Sequence, residues 1–224
     1  MFDRYAIYEI ESLRDRFSLP NGVPAGVKRN YNVSPTNYVP VILVKDGVRV
    51  LQQMNWGFVT QGAQDMNGVF RYKTFSAKSE TVFNKTMWRD AVRSRRCIIP
   101  ANGFYEWTKT EAGKQPYYTQ LADKSLFGFA GVYSSWTDPE GKEHATCAIL
   151  TIDGHSTTLR QKNRRPIIIA KADEQLWLDP VVVDANDLYG CMKTYTDDTM
   201  SVTEVGQAVT SPKAKGPELI TPVR

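Results

Sequence analysis

One stretch near the middle of the chain, residues 95–107, constrains the fold more than any other part of the sequence. Its first half contains Cys97 to Ile99, an apolar and largely β-branched run that is typical of a buried strand. Pro100 fixes φ and Gly103 tolerates positive φ, so the residues between them predict a turn. Residues 104–107 then alternate as a second strand does. The stretch therefore predicts a central hairpin in a β-rich domain.

Glu106 lies in the second of these strands. Alternation places Phe104 and Glu106 on one face and Tyr105 and Trp107 on the other. A carboxylate that shares a face with a large aromatic side chain is a candidate for proton transfer, because such environments cluster at functional sites. The alternative is an exposed glutamate between two core aromatic residues. The pattern alone leaves both interpretations open.

Length allows one large domain or two small ones, and the composition is that of an ordinary globular protein. The chain has 224 residues, of which 42% are hydrophobic and 23% are charged, and this is enough to bury a substantial core. No apolar run approaches the roughly 18 residues that a membrane helix needs, and the first residues do not resemble a signal peptide. Without an internal repeat or a composition break, we predict one strand-rich α+β domain over residues 1–224, with peripheral helices.

The cysteines and histidines exclude several kinds of site. Cys97, Cys147 and Cys191 are odd in number and far apart in apolar surroundings, which favours reduced core thiols in a cytoplasmic protein. His144 and His155 are the only histidines, and no spacing typical of zinc ligands occurs. We therefore expect no metal site and no cofactor.

Four further segments carry local signals. Lys45-Asp46-Gly47-Val48 predicts a tight hairpin. Residues 30–36 are typical of a polar turn, and residues 162–166 of the end of a polar loop before the strand Ile167–Ile169. The segment after Thr81 predicts a helix through residue 92, with four apolar side chains at helical spacing facing the core: Phe83, Met87, Trp88 and Val92.

Basic residues recur beside turns and aromatic residues. The net charge is +4, and clusters occur at residues 28–29, 93–96 and 162–165 and at single positions such as Arg4 and Lys78. Phosphate neutralisation combined with aromatic stacking is what single-stranded nucleic acid requires of a protein. Dispersed lysines and arginines also serve simply to solvate a surface, so charge alone leaves nucleic-acid binding as one of two interpretations.

Several of these segments together resemble the SRAP family (SOS response-associated peptidase-like proteins), which sense abasic sites in single-stranded DNA. The similarity covers nearly the whole chain, and the Gly-Phe-Tyr-Glu-Trp block and the Pro-Glu-Leu tail are its most specific parts. The matching segments are Arg4-Tyr5-Ala6, Tyr31-Asn32-Val33-Ser34-Pro35, Trp56-Gly57, Ala77 with Ser79-Glu80-Thr81, Arg96-Cys97, Gly103-Phe104-Tyr105-Glu106-Trp107, Arg164-Arg165-Pro166, Pro217-Glu218-Leu219-Ile220 and Pro222-Val223.

The resemblance implies a β-barrel-like core with a basic groove for single-stranded or abasic-site DNA. It also implies an N-terminal cysteine, exposed by removal of methionine, whose amine and thiol form a thiazolidine with the abasic-site aldehyde. A glutamate at the position of Glu106 would assist proton transfer, together with an asparagine and a histidine. This chain keeps only the glutamate, because Phe2 replaces the cysteine, Ser76 the asparagine and Lys162 the histidine.

Three functional hypotheses follow from the resemblance. In the first, the chain binds single-stranded or abasic DNA without a crosslink, as a monomer in the cytoplasm or on the nucleoid, in an SOS-type DNA-damage response. In the second, the Lys162 amine or the N-terminal amine forms a Schiff base, with Glu106 as its acid–base partner. The third is autopeptidase activity, against which Phe2 argues. The predicted DNA contacts are Arg4, Pro35, Ser76, Lys78, Trp107, Thr151, Arg164 and Arg165.

Overall fold

The computed structural model describes residues 2–61, 63, 65, 67–111, 113–156, 161–193 and 195–223, without the side chains of residues 155, 156, 161, 162 and 197. Its strands are β1 (Tyr5–Ile7), β2 (Asn30–Val33), β3 (Tyr38–Lys45), β4 (Val48–Trp56), β5 (Ser76–Lys78), β6 (Arg96–Ala101), β7 (Gly103–Thr110), β8 (Gly113–Leu121), β9 (Phe127–Thr137), β10 (Glu143–Ser156), β11 (Gln161–Pro166), β12 (Ile168–Ile169) and β13 (Met200–Glu204). Its α-helices are α1 (Leu13–Arg16), α2 (Gly68–Tyr72), α3 (Arg89–Ser94), α4 (Glu174–Leu178) and α5 (Ala185–Cys191).

Five strands close into a barrel. The hydrogen-bonded order runs β10, β4, β3, β6 and β9, and β9 pairs again with β10 to complete the ring. The pairing of β4 with β10 is parallel and joins Trp56 to Cys147, whereas the other four contacts in the ring are antiparallel. Apolar side chains cover both faces of this ring: Ile42 and Ile98 are paired and share one face, whereas Phe129, which pairs with Ile99, lies on the other. The predicted strand-rich α+β fold with a barrel-like core is confirmed.

A second, open sheet packs beside the barrel. Its strand order is β13-β8-β7-β1-β2, and neighbouring strands are antiparallel. Phe104 of β7 belongs to the main core, whereas Tyr105 and Trp107 belong to a smaller cluster on the opposite face of this sheet. The predicted alternation along residues 104–107 is therefore confirmed.

The predicted central hairpin is wrong. β6 belongs to the barrel and β7 to the open sheet, so the chain crosses from one sheet to the other at Asn102. Asn102 fixes this crossover, because its backbone N–H donates to Ala6 and its side-chain oxygen accepts from the backbone N–H groups of Tyr8 and Glu9. Gly103 does not adopt positive φ. It is required because a Cβ there would lie 2.7 Å from the backbone oxygen of Thr119.

Other local predictions have mixed outcomes. The 45–48 hairpin is confirmed, since Lys45 pairs with Val48 and Asp46 and Gly47 both have positive φ. The helix predicted after Thr81 begins only at Arg89, and Met87 is exposed rather than in the core. The polar residues 30–33 form an edge strand, and residues 161–166 pair along β10 as β11. In both segments the residues form strands because their backbones pair with a neighbouring strand, although their polar composition is typical of a turn or loop.

The three cysteines lie as the sequence predicts. Cys97, Cys147 and Cys191 are buried free thiols. Desolvation by burial raises the pKa of each thiol above its ordinary value. None of the three is therefore suited to act as a nucleophile. In the described part of the chain, no helix is long and apolar enough to span a membrane.

A buried carboxylate joins the helical layer to the barrel. Glu174 in α4 is 2% exposed and accepts from Arg16 at 2.7 Å and from Arg49 at 3.4 Å. Arg16 and Arg49 come from α1 and β4, so this carboxylate fixes three elements together. We expect Glu174→Gln to lower the free energy of unfolding by about 2 kcal/mol, because a charged hydrogen-bond acceptor is lost. Urea unfolding measures this loss, and the exposed Glu140→Gln is the matched control; equal stability of both variants contradicts the prediction.

Candidate functional site around Glu106 and Arg164

Phe2 lies inside the core. Its ring is 3% exposed, and ring centroids lie 5.4 Å from Phe129, 5.8 Å from Trp56 and 6.0 Å from Phe104. These are tilted and edge-to-face contacts of the kind that aromatic side chains favour. The position where the resemblance places a reactive thiol therefore carries an apolar side chain with a packing role.

Glu106 is buried beside a guanidinium group. It is 4% exposed, and its Oε2 accepts from the Thr119 hydroxyl at 3.2 Å and lies 3.7 Å from Arg165 Nη2. Arg165 is 3% exposed, and its guanidinium carbon lies 4.2 Å from the centre of the Tyr195 ring. Tyr195 also packs against Phe104, with ring centroids 5.9 Å apart. The burial of Glu106 excludes the alternative of an exposed glutamate. Arg165 pairs with this carboxylate inside the protein and does not lie on the surface.

Arg164, the preceding residue of β11, has a different environment. Its Nε donates to Thr151 Oγ1 at 3.1 Å and its Nη2 to the Thr151 backbone oxygen at 2.6 Å. The same guanidinium pairs with Glu80 at 3.0 Å and with Asp153 at 2.7 Å. Ser76 Oγ lies 3.0 Å from Thr151 Oγ1 and completes the cluster. Arg164 thus joins β11 to β10 and to Glu80, which follows β5, with its donors engaged by protein oxygens.

The Glu80 carboxyl makes this cluster sensitive to acid. Burial favours its neutral form, but hydrogen bonds from Arg164 and from the Asp153 backbone outweigh that effect and lower its pKa. Because the pKa is lower in the folded chain, the pair stabilises the fold above the ordinary glutamate range and loses this effect as pH falls through the lowered value. We expect the difference in unfolding free energy between the wild type and Glu80→Gln to be constant near neutral pH and to shrink as pH falls below the ordinary glutamate range. A constant difference in urea unfolding contradicts this expectation.

The structure brings together some of the predicted DNA contacts. Ser76, Lys78 and Arg164 line one surface pocket of about 570 Å³, and Lys78 is exposed there. Arg4 lies apart from that pocket, and its Nη1 donates to the Asn32 side chain at 3.0 Å. Two further predicted contacts have little free surface, since Pro35 is buried and Trp107 is half-buried against the smaller core cluster. Contact with DNA stays a prediction for every residue of this set.

Lys162 cannot be assigned a role from its surroundings, because its side chain lies outside the described part of the chain. Its backbone pairs with that of His155 in the β10–β11 ladder. Among the described residues, no group of three or more His, Cys, Asp or Glu side chains is arranged to hold a metal ion. The Schiff-base role of Lys162 stays a prediction.

Sequence reasoning missed four residues of these clusters: Thr119, Tyr195, Glu80 and Asp153. Thr119 faces Glu106 because β8 pairs with β7, with Phe104 opposite Thr119 in the register. Tyr195 comes from a segment remote in sequence and carries no local signal. Glu80 was visible as part of the Ser79-Glu80-Thr81 segment, but nothing in that segment indicates Arg164 as its partner.

The fold and the site define a strand-rich α+β protein in which a barrel and an open sheet bury a carboxylate–guanidinium pair. The chain belongs to the SRAP family, described as SOS response associated peptidase, which matches residues 1–212. The family prediction from the sequence is therefore confirmed.

Relatives are similar over most of the chain. The abasic site processing protein YoqW of Bacillus subtilis is 32% identical over 223 residues, covering 98% of this chain and 99% of its own. The chicken (Gallus gallus) abasic site processing protein HMCES is 26% identical over 225 residues, covering 87% and 66%. A crystal structure of a protein from Bacteroides thetaiotaomicron has a TM-score of 0.87 at 25% identity, with full coverage of both chains.

Proposed function

We propose that this protein binds single-stranded or abasic-site DNA in a DNA-damage response and does not form the thiazolidine crosslink. The observation that carries the second part is Phe2, which has no thiol and whose ring is packed among Trp56, Phe104 and Phe129. A thiazolidine needs a thiol and an amine on the same residue, so this position cannot supply it. The names of its relatives, abasic site processing proteins, support abasic DNA as the ligand.

No other cysteine replaces the missing thiol in this proposal. Burial raises the pKa of the Cys97 and Cys147 thiols, and both lie in the barrel core. DNA affinity then depends on exposed cations, of which Lys78 is one and Arg4 a second, partly exposed one. Phosphate contacts of this kind supply most of the affinity for a single strand.

Glu106 has a defined role in this proposal. Held by Thr119 and Arg165, it provides a fixed hydrogen-bond acceptor in a buried setting beside the core aromatic residues. Its part is to keep the charge of Arg165 paired inside the protein, and in the Schiff-base alternative it is the acid–base group that the resemblance implies. In this proposal the chain does not carry out thiazolidine formation but still binds abasic DNA.

The test uses a single-stranded oligonucleotide with one abasic site beside an intact oligonucleotide, each incubated with the protein with and without borohydride. We expect a shifted band on native gels and no band on denaturing gels. A borohydride-dependent denaturing band would instead show that an amine forms a Schiff base, and Lys162→Ala would then identify or exclude the lysine. Absence of any native shift contradicts the proposal.

A matched pair of variants tests the charge assignment. Lys78→Gln removes a cation that faces the pocket, whereas Lys142→Gln removes an exposed cation in the turn between β9 and β10. We expect Lys78→Gln to lower the magnitude of the salt slope of binding by about 0.7, the value for one phosphate contact to a single strand. Lys142→Gln is expected to leave the slope unchanged. Equal slopes in fluorescence anisotropy titrations would remove Lys78 from the site.

A further inference from the structure

Asn32 in β2 carries a buried side-chain amide that connects the two ends of the chain. The residue is fully buried, and its Oδ1 accepts from Arg4 Nη1 at 3.0 Å. Its Nδ2 donates to three backbone oxygens, those of Val209 at 3.0 Å, Ser211 at 2.9 Å and Ala214 at 3.1 Å. These three residues lie 177 to 182 positions further along the chain. One side chain therefore links the N-terminal arginine to the C-terminal segment.

The three acceptors belong to the C-terminal strap, which we define as residues 207–223. Val209 and Leu219 anchor this strap, because both are buried in the smaller core cluster that contains Tyr105 and Tyr118. A strap that is anchored at two points holds its backbone oxygens in fixed positions. Since all three partners are acceptors, they require the nitrogen of the amide on their side, and the amide oxygen has to face Arg4.

The strap also places a second cation close to Arg4. Lys215 Nζ donates to the backbone oxygen of Asn32 and to Asn37 Oδ1, the latter at 3.4 Å. Burial and the neighbouring positive charge of Arg4 both lower the pKa of the Lys215 ammonium group. The strap therefore contributes to the orientation of Arg4 and adds to the positive potential around it.

Arg4 differs from Arg164 and Arg165 in the charge of the partner that orients it. Arg164 and Arg165 pair with the carboxylates of Glu80 and Glu106, whereas the acceptor beside Arg4 is a neutral amide. A neutral acceptor fixes the direction of a guanidinium group without forming an ion pair with it. The bond to this amide also uses only one of the five N–H donors that a guanidinium group has.

We propose that Asn32 is a positioning residue for DNA binding, which holds the Arg4 guanidinium toward a phosphate of the bound strand and is itself held by the C-terminal strap. Asn32 does not touch the DNA, because it is fully buried. This inference rests on the proposed function, in which Arg4 is a phosphate contact. It makes the affinity for DNA depend on a segment at the opposite end of the chain from Arg4.

The test measures the salt slope of binding to an abasic oligonucleotide by fluorescence anisotropy, in the wild type, Asn32→Leu, Arg4→Gln and the double variant. Leucine is close to asparagine in shape and removes every hydrogen bond of the amide. We expect Arg4→Gln to lower the magnitude of the slope by about 0.7, the value for one phosphate contact to a single strand. Asn32→Leu is expected to lower it by a similar amount alone, and by nothing further when Arg4 is already replaced.

Two further variants keep the test informative. Gln115→Leu is the matched control, because this side-chain amide donates to the backbone oxygens of Pro116 and Val205, just before the strap, and among the described residues orients no cation. We expect it to leave the slope unchanged. Val209→Ala loosens the strap without altering Asn32, and we expect a smaller decrease in slope that again requires Arg4. Thermal unfolding shows which variants retain the fold, and Val209→Ala decides the question if Asn32→Leu does not.

The outcomes separate this inference from the proposed function. If the wild type binds DNA and Asn32→Leu and Val209→Ala keep its slope, the positioning role is overturned while the proposed function stands. An equal weakening of binding with and without Arg4 has the same meaning, because it shows a purely structural role for Asn32. An unchanged slope in Arg4→Gln also overturns the role, since Arg4 is then no phosphate contact. If the wild type binds no DNA, the proposed function fails and the role of Asn32 fails with it.

Discussion

Replacing Glu106 with leucine is expected to lower the free energy of unfolding by about 3 to 5 kcal/mol, because it leaves the buried Arg165 guanidinium without its carboxylate. Arg165→Met is expected to cost a similar amount, since it leaves the Glu106 carboxylate buried. The double variant Glu106→Leu/Arg165→Met removes both charges and keeps apolar volume in their place. We therefore expect it to be more stable than either single variant.

Urea unfolding of the four proteins measures this coupling as a double-mutant cycle. The exposed pair Arg29–Glu11, 2.7 Å apart, gives a control cycle with Arg29→Met and Glu11→Leu. Its coupling energy is expected to be small, because both side chains are in solvent. Additive losses at Glu106 and Arg165 would show that the two residues do not act as a pair.

Phe2→Ala is the second change with a large expected effect. Removing a buried phenyl ring that contacts Trp56, Phe104 and Phe129 is expected to lower the free energy of unfolding by about 3 to 4 kcal/mol. The loss combines the transfer free energy of the ring with the cavity left among three aromatic side chains. Chemical denaturation monitored by tryptophan fluorescence measures it, since Trp56 lies next to the cavity.

Phe2→Leu provides the matched control for this prediction. Leucine fills most of the space and lacks only the aromatic contacts, so we expect a loss below about 1.5 kcal/mol. A small loss for Phe2→Ala would mean that the N-terminal segment leaves the core at little cost. The packing argument against chemistry at this position would then fail, while the absence of a thiol would remain.

The sequence alone was sufficient to predict features that depend on local geometry, such as the alternation of side chains along a strand. Phe104, Glu106 and their neighbours fall on the predicted faces because a strand places alternate side chains on opposite sides whatever it pairs with. The 45–48 hairpin was predictable for a similar reason, since the Asp-Gly dipeptide fits the tight turn by itself. The family motifs added the barrel, which no local pattern contains.

Features that depend on contacts between segments remote in sequence could not be predicted from the sequence. Residues 100–103 have the composition of a hairpin turn, yet Asn102 bonds to Ala6, Tyr8 and Glu9 and directs the chain into another sheet. Arg164 and Arg165 are adjacent and identical in type, but strand alternation sends one to Glu80 and the other to Glu106. The resemblance predicted both as DNA contacts, because sequence motifs cannot show which carboxylates lie nearby.

Barrel closure also determines when the chain can fold during synthesis. β4 pairs with β10, so Trp56 cannot pair with Cys147 until Cys147 has been synthesised, about 90 residues later. At about 5 to 20 residues per second this interval is roughly 5 to 20 seconds. Throughout it, the apolar strand β3 has its β4 partner but no closed barrel around it. Chains that stop before β10 therefore leave the ring open, expose residues 39–43 and are expected to aggregate, because the barrel closes only after residues 143–156 have been synthesised.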